Sequence, residues 1–372
     1  MKYYIIAGEA SGDLHASNLI KEIVKRDSQA DFRAWGGDLM ARQGAEIVKH
    51  YRDLAFMGFI EVVLNLPAIL GNMRFCKRDL IDYQPDVLIL VDYPGFNLPI
   101  ARFAHQQGIK VVYYISPQVW AWKKGRVKTI RKVVDKMLVI LPFEKSFYAD
   151  HDLSVDFVGH PLLDAIQSLP ETSDFRSDNK LDERPIIALL PGSRKQEISK
   201  MLEGMLMVIP YFPDYQFVVA AAPSIDSAVY IKLTARSQVK IVQNQTYRLL
   251  SHASAALVTS GTATLETALF NVPEIVCYKA NQLSFEIARR IVDIKFISLV
   301  NLIMDKEVVK ELIQNNFNHQ NLIRELELIL RDEQHKARML SDFQLLKTQL
   351  GGPGASARAA GLVIDFLNKS SN

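Results

Sequence analysis

Short apolar runs rich in β-branched residues recur along the whole chain and alternate with helical patterns. Near-continuous apolar strands separated by helices are typical of parallel sheets that are covered on both faces. A polar stretch divides the runs into two similar series, so the sequence predicts an α/β protein with two Rossmann-like domains facing a central cleft. The runs are YYIIAG (3–8), DVLILVD (86–92), VVYYIS (111–116), KMLVILPF (136–143), IIALLPGS (186–193), FVVAAAP (217–223), VKIVQN (239–244), AALVTSG (255–261) and EIVCYK (274–279).

The domain boundaries follow from the same pattern. A chain of 372 residues is long enough for two domains. We expect a first domain over residues 1–165, a surface linker over 166–185 and a second domain over 186–350. A last helix within 351–372 is expected to pack back toward the first domain.

The overall composition excludes several classes of protein. A formal net charge of +3 does not demand nucleic acid as a partner. Cys76 and Cys277 lie far apart and form no CxxC pair, so neither a zinc site nor a disulfide framework is expected. No apolar stretch reaches the roughly 18 residues that a membrane-spanning helix needs. We therefore expect a cytoplasmic protein that is soluble or peripheral to a membrane.

A turn of small residues, SGT, follows one strand of the second series and precedes a helical pattern. Ser260, Gly261 and Thr262 would therefore lie at a helix N-terminus. Free backbone N–H groups and the helix dipole favour an anion there, and small side chains would let a diphosphate approach. Glu266 follows about one helical turn later and could bind a ribose diol. The alternative is a capped core helix with a solvated glutamate.

A second turn in the same half, within LLPGSRKQEI (189–198), also ends a strand with small residues. Gly192 and Ser193 would form the turn, and Arg194 could neutralise the charge on a departing diphosphate. The alternative for Arg194 is a solvated loop residue. Asn301 could also serve this site, or it could be a turn residue that caps a helix starting near Asp305.

The first half carries acids where strands end. Asp92 follows the strand DVLILVD and could act as a general base toward a hydroxyl group, while Asp86 stands at the start of that strand. The alternative for Asp92 is an Asx-turn residue before Pro94. The opening loop AGEASGD resembles a phosphate loop, but Glu9 and Asp13 would repel a phosphate.

The stretch SPQVWAWKKGRVKTIRK (116–132) interleaves aromatic and basic residues, among them Trp120, Trp122, Lys123 and Arg126. Such a strip could bind nucleic acid, a substrate phosphate or anionic lipid headgroups, or it could be a solvated basic helix.

Residues 54–78 are unusually apolar, include Phe56 and Phe59, and end in basic residues. Core helices explain most stretches of this kind. A helix that dips into the membrane interface and admits an acyl chain is the alternative.

Taken together, these motifs resemble those of the lipid-A-disaccharide synthase family. The matching stretches keep the family's order and cover essentially the whole chain: AGEASGDLHAS, WGGDLM, PDVLILVDYPGFN, YYISPQVWAWKKGRVKTI, LPFEKSFY, FVGHPLLD, LPGSRKQEI, SGTATLETAL and SLVNLIMDKEVVKELIQ. The resemblance implies a GT-B fold and an inverting glycosyl transfer that needs neither a metal nor a cofactor. The implied donor is UDP-2,3-diacylglucosamine and the implied acceptor is 2,3-diacylglucosamine 1-phosphate. The products would be the β-1,6-linked lipid A disaccharide 1-phosphate and UDP.

The resemblance also implies roles for the predicted residues. Asp86, Arg194 and Asn301 correspond to important family positions, and the SGT turn with Glu266 would surround UDP. Ser11, the aromatic and basic strip and residues 54–78 would serve the acceptor and an anionic membrane surface. The protein would then act in lipopolysaccharide synthesis as a peripheral protein on the cytoplasmic face of the inner membrane. A homodimer is an open alternative to a monomer, and nucleic acid is not an expected partner.

One motif departs from the family. Better-known members read D-x-P-D-F-N, and the second Asp is regarded as a base, whereas this chain reads DYPGFN over residues 92–97. Gly95 cannot take a proton, so the base is expected to be Asp92 or Glu9. With Glu9 as a base, the acidic opening loop would lie near a sugar hydroxyl rather than a phosphate. The alternative function is a UDP-sugar epimerase of the same two-domain architecture, which would turn over UDP-N-acetylglucosamine without an acceptor.

Overall fold

The computed structural model describes residues 1–54, 66–121, 125–167, 174–223, 225–281 and 295–370. The chain forms two compact units. Unit 1 consists of Met1–Gln167 and Leu350–Asn372, and unit 2 consists of Ser168–Gln349. Each unit contains one parallel sheet with buried central strands, which confirms the predicted α/β class. In the described ranges no helix is long and apolar enough to cross a membrane.

Unit 1 alternates strands and helices along the chain. Its elements are β1 Lys2–Ala7, α1 Ala10–Val24, β2 Asp31–Gly36, α2 Asp38–Arg42, β3 Glu46–His50, a 3₁₀ helix Tyr51–Leu54, α3 Leu66–Tyr83, β4 Val87–Val91, α4 Pro94–Gln106, β5 Lys110–Tyr114, α5 Arg126–Val133, β6 Lys136–Val139, α6 Glu144–Ala149, β7 Asp156–Phe157 and α7 Leu162–Gln167. The strands pair in the order β3-β2-β1-β4-β5-β6-β7. The chain therefore moves outward from β1 to β3 and returns on the other side at β4, which makes the β1–β4 boundary a topological switch point.

Unit 2 repeats this plan. Its elements are α8 Phe175–Asp178, β8 Ile186–Leu190, α9 Lys195–Leu206, a 3₁₀ helix Ile209–Tyr211, β9 Gln216–Ala221, α10 Ser227–Thr234, β10 Val239–Gln243, α11 Thr246–His252, β11 Ala253–Thr259, α12 Thr262–Leu269, β12 Glu274–Tyr278, α13 Leu299–Met304, β13 Lys310–Ile313, a 3₁₀ helix Gln314–Asn316, α14 His319–Arg331 and α15 Glu333–Gln349. The strand order is β10-β9-β8-β11-β12-β13, so the switch point lies between β8 and β11.

The last helix, α16 (Ala355–Ser370), packs on α1 within unit 1. Asp164 accepts the backbone N–H of Ser356 over 2.8 Å at the N-terminus of α16, where a carboxylate is favoured by the helix dipole. Arg358 Nε donates to the carbonyl of Val158 over 2.8 Å. These contacts attach α16 to helix α7 and to the residue that follows β7.

Only part of residues 166–185 forms the linker that the sequence predicts. Helix α7 extends to Gln167, and residues 168–173 lie outside the described ranges. The part after it belongs to unit 2, because Phe175 is fully buried in the core of that unit. A single apolar residue in a polar context is a weak sequence signal, although it anchors the segment here.

Candidate active site

The predicted acids of unit 1 meet at its switch point. Strands β1 and β4 pair so that Ala7 lies opposite Val91, and both strands therefore end at the same sheet edge. Glu9 precedes α1 as its N-terminal cap residue, and Asp92 follows β4 directly. Both residues therefore leave the sheet at the same edge, and the negative charge of Glu9 contributes to raising the pKa of Asp92.

Asp92 lies in a strained turn. Both Asp92 (φ 45°) and Tyr93 (φ 47°) have left-handed backbone conformations, which cost a residue other than glycine about 1–2 kcal/mol each. Asp92 keeps access to solvent, yet protein atoms crowd its carboxyl group. This desolvation, together with the charge of Glu9, raises the pKa of Asp92 to about 7. About half of such groups are deprotonated at neutral pH, which suits a general base.

The second acid of the opening loop has a structural task. The Asp13 carboxylate is almost fully buried and accepts backbone N–H groups of Gly37, Leu39 and Met40 over 2.8, 3.1 and 3.2 Å. It therefore holds the start of α2. The expectation that the loop's acidity serves a sugar applies to Glu9, which is half-exposed, and not to Asp13.

Gly8 and Ser11, two small residues of the opening loop, have different surroundings. Gly8 is buried, and a methyl group there would overlap the ring of Tyr93. Gly8 thus makes room for the strained turn of β4 rather than for a sugar. Ser11 is exposed in the first turn of α1, two residues after Glu9.

Asp86 is not brought to this site. Its carboxylate accepts the backbone N–H of Lys2 over 2.7 Å where β1 starts. Since a parallel strand rises about 3.3 Å per residue, β4 separates Asp86 from Asp92 by roughly 20 Å. Asp86 therefore joins the beginnings of two strands at the opposite edge of the sheet, away from Glu9 and Asp92.

The predicted phosphate turns of unit 2 lie side by side. Strands β8 and β11 are neighbours, with Leu190 opposite Val258, so their turns leave the same sheet edge. Gly192 (φ 105°), Ser193 and Arg194 precede α9, and Arg194 is exposed.

Across the switch point, Ser260, Gly261 (φ 155°) and Thr262 lead into α12, and Gly261 and Thr262 are exposed. The N-termini of α9 and α12 thus lie at one sheet edge, where backbone N–H groups favour anions. At α9 the N–H groups of Ser193 and Arg194 already donate to the carboxylate of Glu197.

Glu266 has a partner that the sequence did not suggest. The Tyr247 hydroxyl donates to Glu266 Oε1 over 2.7 Å. Glu266 is half-buried one turn into α12, and desolvation raises the pKa of its carboxyl group. The hydroxyl of Tyr247 therefore orients the carboxylate that was predicted to bind ribose.

Asn301 lies inside unit 2 and not at a helix start near Asp305. Helix α13 begins at Leu299, capped by Ser298, and ends before Asp305. The Asn301 side chain is fully buried: Oδ1 accepts the N–H groups of Val308 and Val309 over 2.7 and 3.0 Å. Its Nδ2 donates to the carbonyl of Val309 over 2.8 Å and to Glu311 Oε1 over 2.9 Å. All four hydrogen-bonding positions of the amide are used, so none is left for a ligand.

Asn301 and Glu311 instead shape the neighbourhood of the SGT turn. The Glu311 carboxylate also accepts the N–H groups of Ile297 and Ser298, at 3.0 and 2.9 Å. The carbonyl of Ile297 accepts the hydroxyl of Ser260 over 2.8 Å. The sequence did not indicate a role for Glu311, because the residues around it are typical of a helix. In the structure Glu311 lies on β13, which pairs with β12.

The described residues of the aromatic and basic strip, 116–132, are partly buried in unit 1 and partly at its surface. Trp120 is buried, and its ring lies edge-on to Phe143 at 4.9 Å between centroids, so it belongs to the packing of unit 1 rather than to its surface. Arg126 starts α5 and is half-exposed. Four other predicted residues lie outside the described ranges: Trp122, Lys123, Phe56 and Phe59.

Comparison with known proteins distinguishes the predicted glycosyltransferase family from the alternative, a UDP-sugar epimerase. The model of the lipid-A-disaccharide synthetase family matches residues 3–362. The chain belongs to the lipid-A-disaccharide synthase family. A curated member from Syntrophus aciditrophicus is 40% identical over 374 residues, with 98% of each chain covered. One from Geobacter sulfurreducens is 36% identical over 372 residues, covering 98% of this chain and 97% of the relative.

Solved structures agree with this family's fold. A UDP-GlcNAc 2-epimerase from Neisseria meningitidis, bound to UDP-GlcNAc, has a TM-score of 0.68 at 13% identity, covering 99% of this chain and all of that chain. A calicheamicin glycosyltransferase has a TM-score of 0.61 at 17% identity, covering 100% of this chain and 99% of that one. At these identities the likeness shows the GT-B fold alone. Membership of the lipid-A-disaccharide synthase family confirms the predicted glycosyltransferase of lipid A biosynthesis.

Proposed function

We propose that the chain transfers 2,3-diacylglucosamine from UDP-2,3-diacylglucosamine to the 6-hydroxyl of 2,3-diacylglucosamine 1-phosphate. The observation that carries the mechanism is the pair of carboxylates, Asp92 and Glu9, at the switch point of unit 1. The acceptor oxygen attacks the anomeric carbon while the bond from that carbon to the diphosphate breaks. The hydroxyl proton passes to Asp92, and the sugar inverts to give the β-1,6 linkage and UDP.

Asp92 is the better base of the pair. Its pKa of about 7 lets it take a proton near neutral pH and release it again, which an ordinary aspartate with a pKa of 3.8 does poorly. Desolvation is the main cause of this raised pKa, and the negative charge of Glu9 adds to it. The pair therefore replaces the acid that Gly95 lacks.

Unit 2 would bind the donor and the departing UDP. Arg194 and the backbone N–H groups around Gly261 offer positive charge to the diphosphate, and Glu266, oriented by Tyr247, offers an acceptor to the ribose. Because protein groups neutralise the leaving group, we propose that the transfer requires neither a metal nor a cofactor.

Helix α3 supports a membrane-bound position. It exposes large apolar residues beside basic ones, the arrangement of helices that lie in the membrane interface. The apolar residues are Leu66, Leu70, Phe75 and Ile81, exposed by 48, 44, 44 and 43%. The basic residues are Arg74, Lys77 and Arg78. We propose that this surface meets the anionic cytoplasmic face of the inner membrane, where both acylated substrates would be bound.

The test is one incubation with both acylated sugars, with and without EDTA, followed by mass spectrometry. We expect the disaccharide 1-phosphate and UDP in both cases. Asp92→Asn should lower turnover at least a hundredfold, and Asp150→Asn, which changes an exposed acid of the same unit, should not. A strict need for a divalent ion would contradict the charge argument. Turnover of UDP-N-acetylglucosamine without an acceptor would favour an epimerase.

A further inference from the structure

The strained turn at Asp92 is held by two buried side chains that hydrogen-bond to its backbone. The carbonyl oxygen of Asp92 accepts the hydroxyl of Tyr113 over 2.6 Å and the Nδ2 group of Asn97 over 2.7 Å. Both donors are fully buried, one on β5 and the other on α4. A carbonyl oxygen has two lone pairs, so both acceptor positions of this peptide are used.

The other side of the turn is fixed as well. The N–H of Asp92 donates to the carbonyl of Ile115 over 3.2 Å. Ile115 itself has φ 65°, which is a genuine outlier for a β-branched residue. Backbone outliers of this kind persist only where the surrounding structure holds them, and they cluster at functional sites.

We propose that Tyr113 and Asn97 are positioning residues for the transfer reaction. This inference rests on the proposed role of Asp92 as the base. By holding the peptide between Asp92 and Tyr93, they direct the Asp92 side chain toward Glu9 at the end of β4. Since neither residue is exposed, neither contacts a substrate, and both act through Asp92.

Tyr113 gives the cleaner test, because Tyr113→Phe removes one hydroxyl and leaves the ring in the core. Asn97 also donates to the carbonyl of Val91 over 3.3 Å, so Asn97→Ser loosens the end of the strand in addition. Tyr4→Phe is a matched control. Tyr4 is fully buried in the same core, and its hydroxyl donates over 2.6 Å to Asp79 on α3 rather than to the turn.

The experiment measures kcat and KM for both substrates from pH 5 to 9, and urea unfolding, for all three variants and Asp92→Asn. For Tyr113→Phe and Asn97→Ser we expect kcat to fall about tenfold with both KM values within about twofold. The pKa of the acid limb of the kcat profile should drop by at least about half a unit, because the carboxylate moves away from Glu9. Tyr4→Phe should lose stability and keep the wild-type profile.

The outcomes distinguish the positioning role of Tyr113 and Asn97 from the role of Asp92 as the base. If Tyr113→Phe or Asn97→Ser folds and keeps the wild-type kcat and acid limb, the positioning role is wrong. The same conclusion follows if Tyr4→Phe changes kcat and the acid limb as much as Tyr113→Phe does. If Asp92→Asn itself retains turnover and the acid limb, the proposed base is wrong, whatever the other variants do.

Discussion

Replacing Asn301 by Asp tests whether this residue supports the fold or binds UDP. The change preserves shape but turns the Nδ2 donor into an oxygen that faces the Val309 carbonyl at 2.8 Å and Glu311 Oε1 at 2.9 Å. Two buried hydrogen bonds are lost at about 1–3 kcal/mol each, and two carboxylates are forced together, so we expect about 3–5 kcal/mol of destabilisation. Protonation of the new carboxyl would restore one donor, so the loss should grow as the pH rises.

The assay is urea unfolding at pH 6 and pH 8, combined with calorimetric titration of the folded protein with UDP. Asn315→Asp, an exposed change in a neighbouring turn, is the control and should unfold like the wild type. We expect Asn301→Asp to unfold at much lower urea, while its folded form binds UDP within a few-fold of the wild-type affinity. Wild-type stability with a tenfold or greater loss of UDP affinity would refute the structural role.

Three further predictions concern charge and protonation in unit 1. Glu9→Gln should move the acid limb of kcat/KM below about 7, since it removes a charge that raises the pKa of Asp92; an unmoved limb would contradict the pairing. Gly95 is exposed with no atom near an added Cβ, so Gly95→Asp should return part of the activity lost in Asp92→Asn, as the disaccharide yield will show. Burial lowers the pKa of His15 from 6.5 to about 4, so its contribution to stability is present above pH 6.5 and is lost on acidification. Burial also lowers the pKa of His160, to about 3, so both proteins should lose stability on acidification. Between pH 7 and pH 5, urea unfolding should show that His15→Gln loses about 2 kcal/mol less than the wild type.

The periodic pattern of apolar residues determined the fold class. Every predicted run became a strand. Most of them are central strands of a parallel sheet, which are buried on both faces and therefore apolar, whereas β10 is an end strand that is only partly buried. The pattern did not indicate β2, β3 and β13. These strands carry charged residues, and β3 and β13 are end strands of the sheets that the described residues form. The fold class and the succession of most strands along the chain were thus predictable, but the extent of each sheet was not.

The motifs placed Glu9 and Asp92 correctly at strand ends, because the position of a residue after a strand is a local property. Only the tertiary structure decided which polar side chains remain available for chemistry. The Asp13 carboxylate accepts the N–H of Gly37, 24 residues away at the start of α2. The Asn301 amide donates to Glu311 on β13. A hydrogen-bonding group serves either the fold or a ligand, and its partner is set by residues distant in sequence, which no local pattern contains.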